Sequence, residues 1–93
     1  MTQTAAEQIA LWMMDQVVAQ GVLTLAATVA YIRRTYGQAS DELLYVDPNG
    51  EAATRWPIAE AFRRLSANTV HWDFRQRAWI DRYPVEWMRE LKN

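Results

Sequence analysis

Few residues in this sequence have side chains that could carry out chemistry. The chain contains no cysteine and one histidine, His71. A disulfide framework, a thiolate zinc site and a cysteine nucleophile are therefore excluded, and a lone histidine cannot form a histidine-based metal cluster. The sequence also lacks a glycine-rich phosphate loop, a serine elbow and a closely spaced pair of carboxylates. We therefore predict that the protein is not an enzyme and has no cofactor and no metal.

Arginine supplies nearly all of the positive charge, and it is concentrated in one part of the chain. Residues 1–54 have two basic and six acidic residues, whereas residues 55–93 have eight basic and five acidic ones. The planar guanidinium suits phosphate oxygens and guanine edges better than the lysine ammonium does. The candidate contacts to duplex DNA are Arg63, Arg64, Arg75 and Arg77.

A structural role is the alternative for the same arginines. Basic residues near the end of a helix complement its dipole, and arginines in a hairpin can pair across strands with Asp73 and Asp81. The formal net charge of −1 gives no support from overall basicity.

The five tryptophans are numerous for a chain of 93 residues. Trp72 and Trp79 lie at equal distances from a turn predicted at 74–77, so a hairpin would place them opposite each other as a pair that covers the core. The predicted structural core residues are Phe62, Leu65, Trp72 and Trp79.

Trp12 is the exception in the first predicted helix, because it lies between Gln8 and Asp15 on the face that should meet water. Near the end of the sequence, the apolar pattern of residues 85–91 predicts a short amphipathic helix. Together these segments predict an exposed apolar patch for self-association or for docking of a partner. The alternative is that the terminal helix folds back over Trp12 within one chain. The candidate interface residues are Trp12, Trp87, Met88 and Leu91.

The apolar periodicity predicts an α+β fold with one core. Thr4 and Glu7 form a capping box, Gly21 and Gly37 follow helices, and Pro57 suits a first helical turn. Helices are predicted at about 4–20, 25–36, 56–66 and 85–91. A strand is predicted at about 43–46, followed by a strong turn signal at 47–50, so this region is either a bent strand or a hairpin. A further hairpin is predicted at about 69–82.

This order of elements is that of a winged helix-turn-helix domain with three helices, a C-terminal β-hairpin and a short terminal helix. A length of 93 residues suits a single domain spanning 1–93. No apolar run approaches the roughly 18 residues of a membrane span, and no basic segment followed by an apolar stretch begins the sequence. We therefore expect a cytoplasmic protein that does not interact with membranes.

The sequence also resembles a family of small uncharacterised bacterial proteins, some of them carried on mobile integron gene cassettes. The resemblance covers roughly residues 7–82 and implies a shared, winged-helix-like fold and an unknown function. It rests on Trp12-Met13, Gly21-x-Leu23, Tyr36-Gly37, Tyr45-Val46, Asn49-Gly50, Phe62-Arg63-Arg64-Leu65-Ser66, Thr69-Val70-x-Trp72 and Ala78-Trp79.

Two functional hypotheses follow from these patterns. The tryptophans and the nearly neutral charge favour a small, non-catalytic protein-interaction or homo-oligomeric module, with a homodimer or another protein as partner. The alternative is a winged-helix-like DNA-binding protein that uses the arginine face of the third helix and the hairpin, with weak affinity for duplex DNA.

Overall fold

The computed structural model describes residues 3–82, which form three α-helices and two small antiparallel sheets. The α+β class is therefore confirmed. The helices are α1 (Ala5–Gln20), α2 (Leu25–Tyr36) and α3 (Trp56–Ser66), with a 3-10 helix at Gly37–Glu42. The strands are β1 (Val22–Thr24), β2 (Leu44–Val46), β3 (Ala52–Thr54), β4 (Val70–Asp73) and β5 (Ala78–Asp81). The terminal helix predicted at 85–91 lies outside the described residues.

The helix ends follow the capping signals in the sequence. The Thr4 hydroxyl accepts from the Glu7 amide and donates to Glu7 Oε1, both at 3.1 Å. Gly21 ends α1 in the left-handed conformation at φ 81°, which costs glycine little. Thr24 then caps α2, because its hydroxyl accepts from the Ala27 amide at 3.1 Å.

The larger sheet joins β1 to the C-terminal hairpin in the order β1-β5-β4. Trp72 lies opposite Trp79 and Asp73 opposite Ala78, which is the register predicted from the turn. On its other side β5 pairs with β1, with Leu23 opposite Trp79. β1 therefore connects the region around α1 and α2 to the C-terminal hairpin.

The region around residues 44–54 is a hairpin rather than a bent strand. β2 pairs with β3 in a separate two-stranded sheet, with Tyr45 opposite Ala53. Asp47 closes the turn, since its side chain accepts from the amides of Asn49 at 2.9 Å and Glu51 at 3.0 Å.

The core lies where the three helices meet the larger sheet. From α1 it takes residues spaced by four, Ile9, Met13 and Val17, each of them fully buried. The other buried apolar residues of the core cluster are Ala10, Leu23, Leu25, Val29, Ile32, Leu44, Ile58 and Phe62.

The prediction that Leu65 belongs to the core is wrong. Its side chain is exposed, whereas Ile58, Phe62 and Ser66 form the buried stripe of α3. At 100° per residue, Leu65 lies about 60° to one side of Phe62, at the edge of that stripe. The same spacing puts it only about 20° from buried Ile58, so Leu65 is exposed because it lies at the space between α1 and α3, which the two helices leave unfilled.

Candidate interaction groove between α1 and α3

A groove of about 660 Å³ runs between the N-terminal half of α1 and α3. Small side chains form part of both walls, with Ala10 on α1 and Ala61 on α3. Small side chains on both walls let the two helices approach closely and leave space above them.

Three large apolar side chains line this groove and remain accessible to solvent. Leu11 is 40% exposed, Trp56 is 71% exposed and Leu65 is 43% exposed. Isolated exposed leucines are ordinary on protein surfaces, but an exposed indole and two exposed leucines that line one groove make it an apolar patch. The sequence pattern placed Leu65 in the core, and the patch itself was not predicted.

Trp56 is exposed because of its position at the start of α3. It is the first helical residue, Pro57 follows it in the first turn, and Arg55 is the N-cap. The Arg55 Nε donates to the Leu44 carbonyl at 2.9 Å, which ties the start of α3 to β2. The tryptophan before a helix-initiating proline is the sequence signal that could have identified this site.

The charges at the α3 edge of the groove do not balance. Glu60 accepts from Arg63 Nη2 at 2.8 Å and from Arg64 Nε at 3.0 Å. The hydrogen bonds from Arg63, followed by those from Arg64, hold the pKa of Glu60 below its usual value, and the pKa of Arg63 is raised in return. One carboxylate therefore faces two guanidinium groups, which leaves a net positive edge. On the α1 wall the charged residue is Glu7.

The four arginines predicted to contact DNA do not form one free basic surface. Arg63 and Arg64 share Glu60, and Arg75 is exposed in the hairpin turn, where its amide donates to Asp73 Oδ1 at 2.8 Å. Arg77 is separated from them by its own ion pairs.

Arg77, predicted as a contact to duplex DNA, is instead held by acidic residues of the chain itself. Its Nη2 lies 2.6 Å from Asp47 Oδ2, and its Nε lies 2.7 Å from Glu51 Oε2, although the second contact lacks hydrogen-bond geometry. These acids lie in the β2–β3 turn and not on the neighbouring hairpin strand. The amide of Glu51, then the side chain of Arg77 and the amide of Asn49, hold the pKa of Asp47 below its usual value.

Trp12 does not project into solvent as predicted. Its ring stacks on Tyr31 of α2, with the ring centroids 3.9 Å apart and the planes 6° from parallel. Beside this stack the Tyr36 hydroxyl donates to Gln8 Oε1 at 3.1 Å, and burial together with nearby Tyr31 raises the pKa of Tyr36. Trp12 lies among polar residues of α1, and its ring is nevertheless covered because α2 packs against that face. The other predicted interface residues, Trp87, Met88 and Leu91, lie outside the described residues.

The hairpin tryptophans pack as a pair against α3. The Trp72 and Trp79 ring centroids are 4.8 Å apart, and Trp79 meets Phe62 edge to face at 5.7 Å. Both indoles are partly buried against the core. This aromatic group thus connects the larger sheet to α3.

A second groove of about 590 Å³ lies between α2 and the β2–β3 hairpin. It is lined by Arg33, Glu51 and Arg77 beside small residues of α2, and none of the exposed large apolar side chains contributes to it. This groove therefore has no exposed large apolar side chain to offer a partner, unlike the groove between α1 and α3.

Within residues 3–82, no group of three or more histidine, cysteine, aspartate or glutamate side chains could hold a metal ion. No helix in that part of the chain is both long enough and apolar enough to cross a membrane.

Residues 5–81 match the model of a family described as a family of unknown function, DUF6953. The chain therefore belongs to this family. No curated protein and no solved structure matches the chain. The family match agrees with the resemblance in one respect, since both point to a family of uncharacterised proteins. The winged-helix likeness stays a prediction.

Proposed function

We propose that the chain is a small, non-catalytic, cytoplasmic protein-interaction module, and that another protein chain occupies the groove between α1 and α3. The observation that carries this proposal is the exposure of Leu11, Trp56 and Leu65 along one groove. Tryptophan is enriched among the residues that dominate binding energy at interfaces.

The size of the patch supports a functional surface. A tryptophan side chain covers about 150–250 Å² when buried, so these three partly exposed side chains present roughly 300 Å² of apolar surface. That value is within the range of the largest patch on a typical monomer, which is often a binding site. It is far below the area of an obligate interface, so a reversible interaction is expected.

Duplex DNA has less support as the ligand. Arg77 is held by Asp47 and Glu51, and Glu60 offsets part of the charge of its two neighbouring arginines. Of the four candidate arginines, Arg77 is thus held away from phosphate and the charge of Arg63 and Arg64 is partly offset, and phosphate contacts provide much of the affinity of DNA-binding proteins.

Site-specific photocrosslinking in the cell that naturally makes this protein tests the proposal. A benzophenone amino acid replaces Trp56 in one variant and Phe74 in a matched control, since Phe74 is an exposed aromatic residue at the hairpin turn. We expect a discrete adduct from position 56, mapped by mass spectrometry to one identified protein sequence, and no such adduct from position 74. The same adducts from both positions, or none from position 56, would contradict the proposal.

A further inference from the structure

We propose that the occupant of the groove is a second copy of this chain, bound as a weak, reversible twofold dimer. This inference rests on the proposed function, because it takes the groove between α1 and α3 as the docking surface. In such a dimer the twofold axis runs parallel to the groove, so that α1 of each copy covers α3 of the other.

Charge complementarity supports this arrangement. The α1 wall has Glu7, which has no ion pair within the described residues, and the α3 edge has an excess of guanidinium over carboxylate around Glu60. Arg64 pairs with Glu60 through Nε, and its side chain is still 77% exposed. When α1 of one copy lies over α3 of the other, the negative wall meets the positive wall twice, once on each side of the axis.

The shape of the patch is also suited to pairing with itself. Trp56 projects at the groove edge, and the groove volume of about 660 Å³ is of the size that accommodates drug-sized groups. The same twofold operation that brings Glu7 towards Arg64 brings each Trp56 indole over the groove of the other copy. The indole thereby loses contact with water without any rearrangement of the core.

The available area indicates how strong this dimer should be. Two copies of the patch bury roughly 600 Å² of apolar surface together, which is typical of weak and transient interfaces below about 1,200 Å². We therefore expect association in the micromolar to millimolar range and not a permanent dimer.

A charge-swap experiment by sedimentation velocity tests the dimer. The chain is compared with Glu7→Arg, with Arg64→Glu and with an equimolar mixture of these two variants. Each variant alone would bring like charges together twice, so we expect association at least about tenfold weaker than in the parent. In the mixture opposite charges meet again, and we expect association to return. Arg75→Glu is the matched control, because it makes the same change of charge at an exposed arginine away from the groove.

Circular dichroism on each variant verifies that it is folded before its association is measured. Loss of association in Trp56→Ala, with Arg75→Glu unchanged, supports the dimer. A parent chain that stays monomeric at all concentrations would overturn it, and so would a mixture that associates no better than its components. If position 56 nevertheless crosslinks to a different identified protein, the docking function stands and only the identity of the occupant is wrong.

Discussion

Arg77 Nη2 donates to Asp47 Oδ2 at 2.6 Å, across thirty residues of sequence. The ion pair joins the two-stranded hairpin to the larger sheet. The backbone of Arg77 contributes to the same junction, since its carbonyl accepts from the Leu25 amide at 2.9 Å, at the start of α2. Arg77 has a positive φ of 49°, an unusual conformation for a residue other than glycine. Its side-chain and backbone contacts hold this conformation in place.

Asp47→Asn should lower the melting temperature at neutral pH, by on the order of 5 °C for a domain of this size. A carboxyl whose folded pKa is lowered stabilises the fold above its ordinary pKa, and this stabilisation is lost as pH falls through the lowered value. The difference in melting temperature between parent and variant should therefore narrow below about pH 4. Thermal melts across this pH range measure it, and a constant difference would contradict the role assigned to the ion pair.

Trp79→Ala should lower the free energy of unfolding by about 3–5 kcal/mol, because the indole contacts both Trp72 and Phe62. This is a large fraction of the roughly 5–14 kcal/mol expected for a chain of this length. Phe74→Ala is the control, since Phe74 is 82% exposed and its loss should change stability by less than about 0.5 kcal/mol. Urea denaturation compares the two, and similar losses would be inconsistent with the packing of the aromatic group.

The stack of Trp12 on Tyr31 should show a coupling free energy of about 0.5–1.5 kcal/mol in a double-mutant cycle. Trp12→Leu, Tyr31→Leu and the double variant retain apolar bulk while removing the aromatic contact. Because the stack lies within one chain, Trp12→Leu should leave self-association unchanged. If the effects of the two single substitutions on stability simply add in the double variant, the stack is contradicted. If Trp12→Leu weakens self-association, Trp12 is part of the dimer interface after all.

Trp56→Ala should change the free energy of unfolding by no more than about 0.5 kcal/mol, since the side chain lies mostly in water. Phe62→Ala, on the buried face of the same helix, should cost about 3–5 kcal/mol. Chemical denaturation of both variants measures the contrast. A large loss in Trp56→Ala would mean that the indole supports the fold, and its exposure would then be no argument for binding.

Local signals in the sequence were sufficient to predict much of this fold. Thr4 and Gly21 bound α1 because capping depends on a few neighbouring atoms, and the Trp72–Trp79 register follows from equal distances to one turn. The strong turn signal at 47–50 left a bent strand and a hairpin open, because Ala-Ala-Thr at β3 has little strand propensity without its partner strand to decide between them.

The candidate site could not be predicted in the same way, because it depends on contacts between elements that are distant in sequence, and local patterns do not report such contacts. The polar neighbours of Trp12 in α1 were read correctly, but only the position of α2 reveals that Tyr31 covers the ring. Leu65 illustrates the same limit, because it lies only about 20° around the helix from buried Ile58, and only the position of α1 decides whether the side chain is covered. Charge counts likewise predicted a basic second half, but not that Asp47 holds Arg77.

The indole N–H resonance of Trp56 gives the most direct measurement of self-association through the groove. In two-dimensional ¹H–¹⁵N NMR spectra each tryptophan gives a separate indole signal, and Trp56→Phe assigns the one of interest. If two copies associate through the groove, this signal should shift progressively as the chain is concentrated, while the indole signals of Trp12, Trp72 and Trp79 stay in place. A Trp56 signal that does not move over a concentration series reaching the millimolar range would contradict the account.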